Sequence, residues 1–511
     1  MSTEPLMLDG QPLSLDEVEA VARGGRPVQL GDAARHAMER SRAVVDSTAA
    51  GTEAVYGINT GFGSLASRPI EPHALREVQR NLIRSHAAGV GAPLPDEVVR
   101  AMLVILAASL GRGYSGVRPR LVGLIIDLLN GGVSPVVPSR GSVGASGDLA
   151  PLAHAALVLI GEGEAVTGGR TLPGGEALAA AGLSPIELEA KEGLALINGT
   201  HMMCAIGVLA LCDVRRCTDA AIAAAAMAID ACRATDEFLD DRLHAVRPQP
   251  GQRRVAELLR RHLAGTQILE AHKVDDPRVQ DPYSLRAAPQ VLGAALDAID
   301  TVRVVFEREL AAVTDNPLVF AESGDVVSGG NFHGLPLAIA LDTLPIALAH
   351  VAGIAERRIN WLLTASDSEN PVNIYLSPQP GLHSGLMIVQ YTAAACCNEI
   401  QTLAGPASVY NIPTSAGMED YNSMGATSAH QARAAVDLAT QVVAIELLVM
   451  AEAMEYQRPL RSGEGVERTY DQVRSVVKRL EVDRPPAPDI AAIVQLIRRG
   501  AFAWQAPVLR I

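Results

Sequence analysis

Apolar residues are spread unevenly along this chain. From about residue 185 onward they recur at helical spacing over 204–239, 287–313, 335–364 and 426–456, with acidic and basic residues on the other faces. That pattern predicts four long helices in a bundle. Before it, shorter helical runs alternate with glycine-rich stretches such as "YGINTGFGS" (56–64) and "SHAAGVG" (85–91). The expected fold is mainly α. A loop-rich N-terminal region (1–185) leads into a central bundle with C-terminal helices (186–511), the two forming one continuous unit.

The polar breaks between the long runs carry more information than the runs. "INGTH" (197–201), "RVQDPYSLR" (278–286), "TDNPL" (314–318), "SGGNFHG" (328–334) and "NIPTSAGMEDYNSMG" (411–425) place ionisable and amide groups where bland connectors would place Ser, Gly and Lys. Buried polar groups are costly unless they have partners or a task. Five such loops suggest helix ends converging on a site.

Composition narrows the reading. Of 511 residues, 48% are hydrophobic but only 3% aromatic, so the core must rest on Ala, Leu, Val and Ile; "AIAAAAMAIDA" (221–231) suits close helix packing. A net charge of −14 without a dense Lys/Arg block argues against nucleic-acid binding. The six cysteines form no C-x-x-C pair and are expected to be buried free thiols, as in a reducing cytoplasm. "MSTEPLMLDGQPLSLDEV" (1–18) has neither a basic nor an apolar signal region, so no secretion signal is expected there. Leu335–Ala355 is the nearest approach to a membrane span, but Asp342, His350 and two prolines favour a core helix. The twelve histidines are scattered with no H-E-x-x-H, so no metal site is expected.

"GSVGASGDLAPLAHAAL" (141–157) has four readings. A phosphate loop needs Lys after the last glycine, whereas Asp148 stands there; the glycine spacing also misses the dinucleotide fingerprint. A nucleophile elbow needs glycine at 148. An inert turn is possible, with Asp148 capping the following helix and Pro151 in its first turn. The fourth reading is self-modification. The Gly147 amide nitrogen attacks the Ala145 carbonyl carbon, one water leaves that carbon, and the Ser146 hydroxyl leaves with its α-hydrogen as a second. The product is a methylidene-imidazolone, an electrophile that no standard side chain provides. Local sequence leaves the third and fourth readings both open.

Taken together and in order, these motifs with "GLALINGT" and "GGNFHG" resemble the aromatic amino acid ammonia-lyase family over roughly residues 50–460. The resemblance implies a homotetrameric helical lyase with active sites shared between subunits. Its prosthetic group, 4-methylidene-imidazol-5-one (MIO), would form from Ala145, Ser146 and Gly147. It implies Tyr56 as the base for the β-proton, Arg286 as the substrate-carboxylate partner, and Asn198 orienting that carboxylate and the prosthetic group. Tyr283 would lie near the reacting amine, with Gln280 and Phe332 lining the pocket. A helical scaffold without activity is the competing class, and it would not need Ala-Ser-Gly, Tyr56, Arg286 and Glu419 all intact.

Substrate choice rests on two positions. His86 suits a ring with a polar atom, imidazole or phenol. Glu419 resembles the histidine-deaminating members and would be buried unpaired against a phenyl ring. Gln280 also fits them. Leu335, His383, Met418 and Tyr421 depart from their pattern, His383 toward tyrosine aminomutases. The expectation is deamination of histidine to trans-urocanate, with a tyrosine lyase or 2,3-aminomutase as the alternative.

Overall fold

In the computed structural model the described residues are 4–61, 70–274, 276–504 and 509, and the tail of the Tyr56 motif, from residue 62, lies outside them. The chain divides into two compact units, each assembled from three separated stretches. Unit 1 comprises Met1–Leu209, Val304–Leu341 and Pro406–His430; unit 2 comprises Ala210–Arg303, Asp342–Gly405 and Gln431–Ile511.

The long apolar runs are helices His201–Ala231, Ala288–Leu310, Leu335–Leu363 and Gly425–Gln457. The first stops short of the expected 239 because Arg233 turns into the left-handed region (φ 52°). By length and composition Leu335–Leu363 and Gly425–Gln457 could each cross a membrane. However, 67% and 78% of their most apolar stretches are buried within the protein, which marks them as core helices.

Unit 2 is built from the greater part of these helices with Pro250–Leu263, Met387–Leu403, Glu464–Arg474 and Ala487–Arg498. Its centre is made of small side chains: Ala220 to Ala228 are at most 1% exposed, as are Val442 to Ile445. Alanine faces let helix axes approach closely, and low aromatic content then does not mean loose packing. The Arg358–Glu446 ion pair, 2.5 Å apart with both side chains fully buried, crosses this apolar interior.

Unit 1 holds more local structure. A capping box starts Leu15–Ala22: the Glu17 amide donates to Ser14 Oγ, and the Ser14 amide donates to the Glu17 carboxylate. Asp96–Gly111 is buried on nearly every face and forms the unit's core. Short strands brace the loops. Val90–Pro93, just after the His86 helix, pairs antiparallel with Pro138–Arg140, which leads into the glycine-rich loop. Among the described residues all six cysteines are free, and all but Cys396 are buried.

Candidate active site

Gly147 sits in the left-handed region (φ 74°), and a Cβ there would lie 2.0 Å from the Gly199 carbonyl oxygen. Only glycine fits. The contact is a two-strand bridge: the Asp148 amide donates to Gly199 O (2.7 Å), and the Gly199 amide to Ser146 O (3.2 Å). It lays the Ala-Ser-Gly triad along "INGT". There Ser146 Oγ donates to Asn198 Oδ1 at 2.7 Å.

Asp148 corrects the turn reading. It stands at the N-cap of helix Leu149–Leu159 but makes no capping bond to it. Its carboxylate accepts instead from the Met202 and Met203 amides (2.9 Å each), at the start of helix His201–Ala231, and from Ser142 Oγ at 2.8 Å. An anion at a helix N-terminus satisfies orphan amides and the dipole. Burial still pushes its carboxyl up to about 6, against the three hydrogen bonds.

The other end of the loop is tied to the Glu419 segment. Ser423 Oγ donates to Gly144 O (2.9 Å) and the Met424 amide to Val143 O (2.9 Å), while the Gly334 amide, two residues after Phe332, also donates to Gly144 O (3.3 Å). Glu419 is half-buried and accepts from Thr414 Oγ1 at 2.9 Å, inside a Thr414–Glu419 bridge. Phe332 is half-buried, whereas Met418 and Tyr421 are exposed. His333 stacks on Tyr421 and contacts its carbonyl oxygen at 2.9 Å.

Two more predicted residues reach this neighbourhood, His86 from a helix end and Tyr56 from a turn. His86 ends helix Leu75–His86, its Nδ1 2.9 Å from Leu82 O. Gln79 of that helix caps Glu192–Ile197, accepting the Gly193 amide at 2.8 Å, which locks the His86 helix to the helix that delivers Asn198. The adjacent Gly89 amide donates to His154 Nε2 (3.0 Å) on Leu149–Leu159. Tyr56 lies half-buried in a turn. Its neighbour Gly57 (φ 76°) passes so close to Leu194 and Pro317 that a Cβ would meet them at 2.6 and 2.9 Å. Unit 1 thus gathers Tyr56, His86, Ala145–Gly147, Asn198, Phe332 and Glu419 onto interlocked loops.

Gln280, Tyr283 and Arg286 form a separate cluster, in unit 2. Arg286 donates through Nη2 to Gln280 Oε1 and through Nε to Asp281 O, both at 2.8 Å, and its guanidinium lies 4.5 Å from the Tyr283 ring centre. Gln280 and Tyr283 line a cleft of about 550 Å³ with Arg278, Trp361 and Asp367.

Sequence reasoning missed the charged groups behind Asn198. Its Nδ2 donates to Asn316 O (2.9 Å) and Asp315 Oδ1 (3.4 Å), and Asp315 Oδ2 lies 2.5 Å from Lys191 Nζ. Glu309 accepts from Thr200 Oγ1, and burial raises its carboxyl. His201 is buried with neither ring nitrogen hydrogen-bonded among the described residues, and burial lowers its imidazole to about 4. The signal was present in "TDNPL" and in "KEG" ahead of "LALINGT", both polar inside apolar surroundings.

The aromatic amino acid lyase family profile matches residues 13–475. A histidine ammonia-lyase of Gloeobacter violaceus is 49% identical, covering 98% of this chain and 96% of that protein; one of Myxococcus xanthus is 48% identical over 98% of each. Among solved structures, Trypanosoma cruzi histidine ammonia-lyase superposes with a TM-score of 0.91 at 40% identity, covering 98% of this chain and 94% of that one. Tyrosine aminomutase of Streptomyces globisporus gives 0.91 at 34%, over 98% of each. With its helical architecture and its ordered loops, the chain belongs to the aromatic amino acid lyase family.

Proposed function

We propose that this protein is a carbon–nitrogen lyase that releases ammonia from L-histidine to give trans-urocanate, using an MIO formed from Ala145, Ser146 and Gly147. The residues fit that group: no side chain can stand at 147, Ala145 is buried and minimal, and the Ser146 hydroxyl is held by Asn198. When formed, it supplies an electrophile that makes the amine a better leaving group.

The side chains do the rest. Tyr56 takes the β-proton, which requires hydrogen-bond donors or positive charge nearby to lower its pKa. Arg286 presents a planar fork to the carboxylate, oriented by Gln280 and Tyr283. Asn198 orients the carboxylate and the prosthetic carbonyl, Tyr283 lies near the amine, and Phe332 closes an apolar wall. His86 and Glu419 read the ring.

The observation that carries the substrate is Glu419, a half-buried carboxylate on the loop that returns through Ser423 to Gly144. Thr414 Oγ1 occupies one of its oxygens, and the other can accept an imidazole N–H, a donor that a phenyl ring does not offer. The proposed assembly is a cytoplasmic homotetramer with active sites completed by neighbouring copies, without metal, nucleic-acid or membrane partners. His383 favours the tyrosine lyase or 2,3-aminomutase alternative. Product formation from histidine, tyrosine and phenylalanine, with Ser146→Ala alongside, tests the proposal. Urocanate from histidine alone, abolished by Ser146→Ala, supports it; coumarate or β-tyrosine overturns the substrate.

A further inference from the structure

Lys191 combines two local penalties. Its backbone is left-handed (φ 72°) at the N-cap of Glu192–Ile197, and its side chain is fully buried. A non-glycine residue is disfavoured in that region, and a buried ion pair is a weak source of stability. Its partner Asp315, with 3% side-chain exposure, spends its other oxygen next to Asn198.

Both amide hydrogens of Asn198 face oxygens, Asp315 Oδ1 at 3.4 Å and Asn316 O at 2.9 Å. A half-turn of the amide would set Oδ1 against those two oxygens, so the oxygen must point to Ser146 Oγ. The Asn316 amide, donating to Asp315 Oδ1 at 2.7 Å, fixes the carboxylate from the other side.

We propose that Lys191 and Asp315 are positioning residues for the self-modification of Ala145–Gly147: Lys191 anchors Asp315, Asp315 sets the Asn198 amide, and its oxygen holds the Ser146 hydroxyl in one rotamer for loss as water. The inference rests on the MIO reading above. It gives a task to a lysine whose left-handed backbone and fully buried side chain are otherwise costly.

The test is the time course of two-water loss in the peptide spanning 145–147, followed by mass spectrometry after synthesis of the full chain, with thermal unfolding and kcat per cyclised chain in parallel. The paired variant Lys191→Met/Asp315→Asn removes both charges at nearly constant volume, and so leaves no unpaired buried ion. Expected are near-parental unfolding and at least fivefold slower water loss. Lys191→Met alone should be slowed further. Cyclisation at the parental rate in the folded paired variant overturns the proposal. If that variant does not fold, Lys191→Gln, whose shorter neutral side chain withdraws the ammonium from Asp315, takes its place: slowed cyclisation supports the relay and a parental rate overturns it. A parent peptide at full mass would instead refute the MIO reading, before any variant is considered.

Discussion

The helical interior of unit 2 and the loop cradle of unit 1 both contain fully buried side chains but solve different problems. Around Ala220–Ala228 and Val442–Ile445 nearly every atom is apolar, and small residues fill the space. Around Ala145–Gly147 the buried groups include Asp148, Lys191, Asn198, His201 and Asp315, all but Asp148 supplied by segments distant in sequence. The first region gains stability from area removed from water, roughly 25 cal/mol per Å². The second gives some of that up for fixed dipoles and charges around the loop proposed to form the prosthetic group. Substitutions in the two regions should therefore fail differently.

Gly147→Ala should produce the largest effect. The added methyl meets the Gly199 carbonyl at 2.0 Å, so the triad loses its bridge and activity falls by about a thousandfold or more, at least the loss typical of a missing catalytic group. Purified protein assayed for urocanate checks this, and activity near the parental level would break the comparison.

Glu419→Gln comes next. It keeps shape but removes the charge, and should raise KM for histidine by roughly 10- to 100-fold, the range of one charged hydrogen bond. Steady-state kinetics with histidine and tyrosine separate this from a general loss: equal effects on both substrates would contradict ring recognition.

Ala226→Leu should do the reverse. Residue 226 is fully buried, and overpacking there costs about 1–3 kcal/mol. The unfolding temperature should drop by several degrees while kcat per folded chain is unchanged. A kcat loss would mean the interior and the cradle are coupled.

The smallest effect concerns acid stability within the cradle. Burial lowers His201 to about 4, so its contribution is present above its unfolded pKa of roughly 6.5 and is lost as pH falls through 4. Burial raises Asp148 to about 6, so its contribution is complete below its unfolded pKa of roughly 3.9 and is lost as pH rises through 6. The two oppose each other between about pH 4 and 6. In His201→Gln the opposing His201 contribution is gone, and the urea midpoint, relative to the parent, should rise as pH falls from 6.5 to 4. A pH-independent difference would show that His201 does not titrate in this way.

The long helices were legible because apolar spacing over twenty or more residues leaves few alternatives, and 335–364 and 426–456 match their helices within a residue at each end. The candidate site residues could be named only from ordered motifs. What the letters hid were partnerships at long range. Asp148 reads as the cap of its own helix, yet it serves the helix that begins at His201, which gains a buried anion for its free amides. Lys191 drew no reading from the sequence, and its proposed role appears only with Asp315 beside it. Pairings of that kind are set by tertiary packing and have no local spacing to reveal them.

The most direct test of the central claim is the mass of the peptide spanning Ala145–Gly147 from the purified parent and from Ser146→Ala. The account predicts a deficit of two waters in the parent, no methylidene product in Ser146→Ala, and ammonia release from histidine only in the parent. A parent peptide at full mass that still releases ammonia from histidine would contradict it.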